Sequence, residues 1–321
     1  MKISYILLTL FLCKFQVLYG QEPVKPLRID STPTIDGILD EPFWTQATLS
    51  TNFKTWAPDF GKEPTGQTEA LMAYDSENLY FALRCFDSER DKIKTSVAER
   101  DKIIPDDWVC LNIDTFNDQQ ALTAFYINPN GIQADSRFAA NNEDFSIDYV
   151  WYSAGRFDDK GYTIEVQLPL KSLRYSDDET VTMGIVFERY VSRQSEHSTY
   201  PPLDPAKGFS FLTEMMPIEY HNLEHYTLVE ILPAVTYSYK SSLQNGRLEK
   251  DESKPDFSLT TKYGLTSQLI LDGTINPDFS QVESDAGQVD VNLRTDLFYS
   301  EKRPFFLEGN ENFRLAATNV S

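Results

Sequence analysis

Aromatic side chains set among polar groups are the first residues here that could do chemistry. Trp56 lies in the Pro- and Gly-containing loop "TWAPDFGKEPTG", Trp108 follows Asp106-Asp107, Trp151 opens "WYSAGRF", and Tyr200 lies in "ERYVSRQSEHSTYPP" together with Arg189, Arg193 and Glu196. An exposed aromatic face offers a ligand a stacking surface, while amides, carboxylates and guanidinium groups beside it hydrogen-bond the ligand's polar groups. Each of these residues also has a plainer reading. An indole after a turn folds into a core, and an arginine among acids forms surface ion pairs.

A second set is made of oxygen donors. Asp75, Asp87, Asp106, Asp107 and Asp114 stand near the ends of strand-like runs, and Asp87, Asp106 and Asp107 are the candidates for calcium, a hard cation that takes carboxylate oxygens. No twelve-residue EF-hand-like loop accompanies them, and an acid in a solvated turn needs no ion. A third candidate is "HNLEH" at 221–225, which fits the H-x-x-E-H pattern of inverted zinc peptidases. That chemistry requires a helix that brings His221 and His225 to one face, and Pro217 before it and the strand-like "TLVEIL" after it oppose one. There is no G-x-S-x-G elbow, P-loop or C-x-x-C pair, and no carboxylate pair is set apart for glycoside hydrolysis.

The elements that must position these groups read as strands. "EALMAYDSENLYFALRCFDSE" is a hairpin around Asp75–Asn78, with Leu79, Phe81, Leu83 and Cys85 on one face. "DDWVCLNIDTF" and "LTAFYINPNGIQADSRF" follow, the latter turning at Asn128–Gly131, and then "GYTIEVQLPL" and "TMGIVFERYVSR". Repeated short strands with no sustained helical period predict an antiparallel β-sandwich over 21–216. Cys85 and Cys110 could pair, but their places inside strands favour buried thiols.

The first twenty residues, with Lys2, an apolar run from Ile3 to Leu12 and Gly20, have the layout of a secretory signal peptide. Leu12 before Cys13 does not suit lipidation. The net charge is −20, and removing Lys2 and Lys14 with the leader leaves −22. Such a surface repels nucleic acid and anionic lipid. After a linker at 217–227 the text changes. "LVEILPAVTYSYKSSL" and "QVDVNLRTDLF" alternate apolar with polar or charged residues, as do both a sandwich strand and a transmembrane barrel strand with a wet lumen. The region 228–321 has 94 residues and about four strands, against the eight or so a small barrel needs, so an incomplete barrel-like region is expected.

"PTIDGILDEPFWTQA" and the strands after it, over about 27–212, resemble the family 9 carbohydrate-binding modules, which usually open with such a "DG.LDE..W..A" signature. In the opening stretch, Gly37 relieves a positive φ, Leu39 and Trp44 enter the core, and Asp40-Glu41 cap a short turn; Trp44 as a sugar platform is the rival. "VEILPAV", "KYGLTSQLILDGTINPDFSQVESD" and "EKRPFFLEGNENF" resemble the start of an outer-membrane domain that often follows such a module in Gram-negative proteins. The resemblance implies an exported, glycan-binding module on an outer-membrane protein, in the outer membrane or periplasm, with structural calcium in some relatives. It also implies a link to carbohydrate catabolism. An O-glycosyl hydrolase activity would follow only from association with neighbouring hydrolases. A sandwich that serves the barrel structurally and binds no sugar is the alternative.

Overall fold

The structure is a computed structural model that describes residues 22–139, 142–145, 147–208, 210–227, 229–237, 241–244, 247–250, 255–266 and 269–276. The leader, "QVDVNLRTDLF" and "EKRPFFLEGNENF" lie outside the described residues.

Nearly everything is β. The strands up to residue 221 are β1 (Leu27–Arg28), β2 (Thr48–Ser50), β3 (Lys54–Ala57), β4 (Thr68–Tyr74), β5 (Asn78–Phe86), β6 (Trp108–Asp114), β7 (Ala121–Ile127), β8 (Gln133–Ala139), β9 (Asn142–Asp144), β10 (Tyr152–Phe157), β11 (Gly161–Pro169), β12 (Thr180–Val191), β13 (Glu196–Tyr200) and β14 (Met216–His221). They form two sheets. One has six strands in the order β1-β4-β5-β11-β10, with β2 also on β4; the other has eight in the order β3-β13-β12-β6-β7-β8-β9, with β14 also on β12. The sandwich therefore takes in all of β14, whose residues 217–221 belong to the segment read from sequence as a linker. Leu223 and Tyr226 also pack against its core.

Leu79, Phe81, Leu83 and Cys85 of β5 face Val109, Leu111 and Phe187 of the opposite sheet across the main core. The predicted hairpin turn is there, with Asp75 Oδ1 accepting the N–H groups of Glu77 and Asn78. Cys85 lies in this inter-sheet core and Cys110 in a separate cluster with Trp108 and Tyr126; both are free thiols, pushed up by burial. Both outer faces are covered as well. Ile29, Trp44, Leu71 and Tyr80 pack on the outside of the six-stranded sheet, while Ile103, Trp108, Leu122, Tyr126 and Leu212 pack on the outside of the eight-stranded one. All seven residues of β6 are accordingly buried.

The opening stretch is held by one carboxylate. Gly37 has φ +81°, and Glu165 Oε2 accepts the N–H groups of Asp36 (3.0 Å) and Gly37 (3.1 Å) while its Oε1 accepts the Trp44 indole N–H (3.3 Å). Trp44 is buried, which removes it as a sugar platform. The capping role given to Asp40-Glu41 is corrected. Glu41 is the N-cap of the 3₁₀ turn Pro42–Thr45, but its side chain turns back to accept the Thr34 N–H (2.9 Å) and makes no cap bond.

Beyond residue 228, β15 (Val229–Tyr237), β18 (Pro255–Gly264) and β19 (Ile270–Ile275) form an antiparallel sheet, and β16 (Ser241–Gln244) and β17 (Arg247–Lys250) form a hairpin. Its register sets Val229 beside Tyr263 beside Leu271, and Val235 beside Phe257, all exposed. The opposite parity carries Glu230 beside Lys262 beside Asp272, with Leu232, Ala234 and Ile270 as apolar exceptions.

Candidate functional site

Two of the aromatics singled out from sequence converge. On the outer face of the eight-stranded sheet, β12 presents Glu188 and Tyr190, β13 presents His197, and β6 presents Trp108, because alternate residues of antiparallel neighbours share a face. Tyr190 and His197 are direct cross-strand partners with ring centroids 4.5 Å apart. Trp108 lies 5.2 Å from Tyr190 and 5.7 Å from His197, with Tyr126 edge-on at 5.0 Å. Trp56, from β3 at the sheet edge, meets His197 edge-on at 6.1 Å and Phe211 at 5.5 Å. Phe211 comes from the single helical turn α1 (Ser210–Thr213).

Trp108 and Tyr126 form a buried floor, and Trp56, Tyr190, His197 and Phe211 are half-buried above it. Polar groups reach the same face. Glu188 Oε1 lies 2.7 Å from His197 Nδ1, and Glu143 Oε1 accepts from the Tyr126 and Ser136 hydroxyls at 2.8 and 2.6 Å. The Trp56 indole N–H is shielded and has no acceptor among the described residues. A buried donor left unpaired costs about 1–3 kcal/mol.

Arg189, one residue from both Glu188 and Tyr190, points the other way. It is 1% exposed, its Nη1 donates to the carbonyls of Gly66, Gln67 and Phe86 and to Thr68 Oγ1 at 3.0–3.3 Å, and its guanidinium lies 5.6 Å above the Tyr162 ring. It ties the eight-stranded sheet to one end of the six-stranded sheet. Burial thus corrects its assignment as a ligand-binding residue. Arg193 donates through Nη1 and Nη2 to Asp87 Oδ2 and Oδ1 at 2.8 and 3.0 Å, and Glu196 accepts from the backbone and hydroxyl of Thr65 at 2.9 and 2.8 Å. Tyr200 is half-buried against Phe53, and Trp151 is buried with its indole N–H on Asp135. None of these four joins the aromatic face.

The acids proposed for calcium are already engaged, and Arg193 Nη1 lies 2.8 Å from Asp87 Oδ2 and 4.0 Å from Asp107 Oδ2, where a cation already serves both. Asp87 takes both nitrogens of Arg193; burial pushes its carboxyl up, but those bonds, the Glu89 N–H and the two guanidinium charges hold it below the ordinary range. Asp106 Oδ2 accepts from the Ser96 N–H and hydroxyl and from Asn128. Asp107 Oδ1 accepts from Ser192 N–H, its Oδ2 has no hydrogen-bond partner but lies 4.0 Å from Arg193 Nη1, and burial pushes its carboxyl up. Among the described residues no three His, Cys, Asp or Glu side chains are grouped to hold a metal, so this donor set does not fit calcium. Nor does "HNLEH" form a helix. His221 ends β14, bonded to Glu219 and within reach of Thr180, and His225 lies against Tyr175.

The family profile described as carbohydrate family 9 binding domain-like matches residues 35–198, which is 164 of the 321 residues. The chain belongs to this family. The carbohydrate family 9 binding-like domain is followed by a match to a domain of unknown function, DUF5916, at 231–318. A putative carbohydrate-binding protein from Bacteroides uniformis is similar in structure, with 9% identity, coverage of 63% of this chain and all of that one, and a TM-score of 0.51. At that identity the likeness speaks to the fold. A family 9 carbohydrate-binding module from Caldicellulosiruptor kristjanssonii in complex with glucose has 14% identity, covers 60% of this chain and 94% of its own, and has a TM-score of 0.42. The same organism's module with cellotriose has 15% identity, 64% and 95% coverage, and 0.43. No curated protein matches the chain.

Proposed function

We propose that this domain binds glycan on the aromatic face of its eight-stranded sheet, as an exported module of an outer-membrane protein. The convergence of Trp56, Phe211, Tyr190 and His197 above buried Trp108, with Glu188 among them, carries the reading. Half-buried rings offer stacking surface, and the Glu188–His197 pair offers an acceptor and a donor for vicinal hydroxyls. Glycan-array and calorimetric binding by the chain in detergent tests this. Trp56→Ala should weaken binding at least tenfold, about 1.4 kcal/mol. A folded wild-type protein that binds no glycan would leave the second reading, a structural accessory of the membrane domain, which the covered state of Trp108 and Tyr126 favours.

The membrane part of the proposal rests on the C-terminal sheet. Strands β15 and β18 have nine and ten residues, the length that crosses a bilayer at a barrel tilt. One parity is exposed and mainly apolar with Tyr237 and Tyr263 near strand ends, and the other is mainly polar with Glu230 and Lys262 3.8 Å apart, broken by Leu232, Ala234 and Ile270; that mixture resembles the apolar-out, polar-in pattern of a barrel wall. The turn from β18 to β19 is short, with Leu265 N–H donating to Leu269 C=O, whereas β15 and β18 are separated by the β16–β17 hairpin. Barrels keep short turns on the periplasmic side. Val229 lies at the short-turn end, so the chain before it enters from there, and the sandwich is periplasmic in this reading. Protease added to intact cells should then leave the sandwich uncut, and outer-membrane permeabilisation should expose it; cleavage in intact cells would place it outside.

A further inference from the structure

We infer that the sandwich carries a second, separate glycan site, a pocket for a neutral, hydroxyl-rich sugar unit at the free edge of the six-stranded sheet; the inference rests on the carbohydrate-binding reading above. The pocket has a volume of about 650 Å³ and lies between edge strand β10, the N-terminal segment at Pro33 and Ile35, and the start of β8. Ligand pockets commonly span about 300–1,000 Å³. It shares no lining residue with the aromatic face.

Its chemistry suits a sugar. Tyr152 is 50% exposed on the edge strand and is the register partner of Gln167, so an aromatic ring and an amide stand side by side. Gln167 Nε2 is committed to Asn78 Oδ1 (3.0 Å), which turns its carbonyl oxygen into the available acceptor. On the opposite wall Gln133 gives Nε2 to Trp151 C=O (3.1 Å) and Ser153 Oγ (3.0 Å) and receives Arg100 Nη1 on its Oε1 (2.9 Å). Arg100 is itself fixed by Asp135 and by Tyr149 C=O (2.8 Å). These bonds lock the wall before any ligand arrives, which lowers the entropy lost on binding.

The same network argues for neutrality. Arg100 is the one charged group lining the pocket, and the buried Asp135 carboxylate compensates it, with Asp148 a further 3.6 Å neighbour. What remains to meet a ligand is a ring face, an amide oxygen, one lone pair of the Ser153 hydroxyl, whose hydrogen goes to Gly131 C=O (2.9 Å), and a guanidinium N–H. That set recognises hydroxyls and gives an anion no net positive charge. The turn Asn128–Gly131 holds the floor in place by close packing, since a Cβ on Gly155 would meet Pro129 C=O at 2.3 Å and one on Gly131 would meet Gly155 N at 2.7 Å.

The test is calorimetric titration of the full chain in detergent with the neutral oligosaccharides that score on an array, set beside uronate-containing ones. Wild type, Trp56→Ala, Tyr152→Ala and Gln167→Leu are compared, with tryptophan fluorescence confirming that each is folded. The expected result is two equivalents of neutral sugar per chain, one lost or weakened at least tenfold by Tyr152→Ala and by Gln167→Leu, and the other by Trp56→Ala. One equivalent that survives Trp56→Ala but not Tyr152→Ala would uphold this pocket and move the primary site to it. One equivalent removed by Trp56→Ala and untouched by the other two variants would overturn the second site while leaving the carbohydrate-binding reading intact. No binding to any glycan would overturn both, and binding of uronates alone would overturn the assignment to neutral sugars.

Discussion

Asp87→Ala should destabilise the sandwich by about 3–5 kcal/mol, because it removes the nearest counter-charge of two guanidinium groups at the end of the core, leaving Arg193 only Glu89 at 3.6 Å and Asp107 at 4.0 Å. The Asp87 side chain is almost wholly buried, bonds both Arg193 nitrogens, and lies 3.7 Å from Arg189 Nη2. Arg189 cannot escape to water, since its Nη1 is held by four oxygens from the other sheet and its Nε and Nη2 have no hydrogen-bond partner. For a domain of this size the loss corresponds to a melting shift on the order of 10 °C. All four tryptophans fall within the sandwich, so their fluorescence in urea reports its unfolding even in the full chain. Arg193 is nearer the rim, and Arg193→Met should cost less. The double variant should cost less than the two single losses added, since Arg193→Met removes one of the two charges that Asp87→Ala strands. The difference between wild type and Asp87→Ala should shrink in acid. A carboxyl held below its ordinary range contributes stability above about pH 4 and loses it as pH falls through its folded value. A loss under about 1 kcal/mol at neutral pH would mean that Asp87 is not the counter-ion it resembles.

The strands, the hairpin at Asp75–Asn78, the turn at Asn128–Gly131 and the burial of Trp44 were all legible, because each rests on a local signal of alternation or turn chemistry. Direction was not. Alternation separates a wet from a dry face only where one face is wet, and here both faces of each sheet are covered, so β6 is buried at every position. Hydropathy therefore could not say which way Trp108 points, nor that Arg189 turns into the core while Glu188 and Tyr190 turn out. Pairing the chemistry of "ERYVSR" by parity would have exposed the conflict, since Phe187 and Val191 share the arginine's side. His197 and Phe211 gave no local signal at all. The edge pocket was illegible for another reason: Arg100, Gln133, Tyr152 and Gln167 come from distant segments, and only the sheet order brings them together.

Between about pH 4.5 and pH 7 the sandwich should lose on the order of 3 kcal/mol of stability through Glu165 alone. This residue is 0% exposed on β11, and burial pushes its carboxyl up to about 7 against the three N–H donors of Asp36, Gly37 and Trp44, which favour the charged form; Glu41 nearby adds to the rise. The sign follows from the folded value lying above the unfolded one. The contribution is complete below the unfolded value near 4.5 and disappears as pH rises through about 7. Burial also pushes the carboxyls of Asp107, Asp114 and Asp135 up, so the test is a difference curve. Glu165→Gln keeps the shape and an oxygen acceptor but cannot ionise, and its urea stability should fall less steeply than that of wild type from pH 4.5 to 8. Parallel curves would mean that Glu165 ionises as freely as an exposed glutamate despite its burial. The consequence reaches the edge pocket, because the residue before the tethered Asp36 is Ile35, part of its wall. Once ionised, the carboxylate accepts the Asp36 and Gly37 N–H groups more strongly than the amide oxygen of Glu165→Gln does, so at pH 8 those two amides should exchange more slowly in wild type than in the variant.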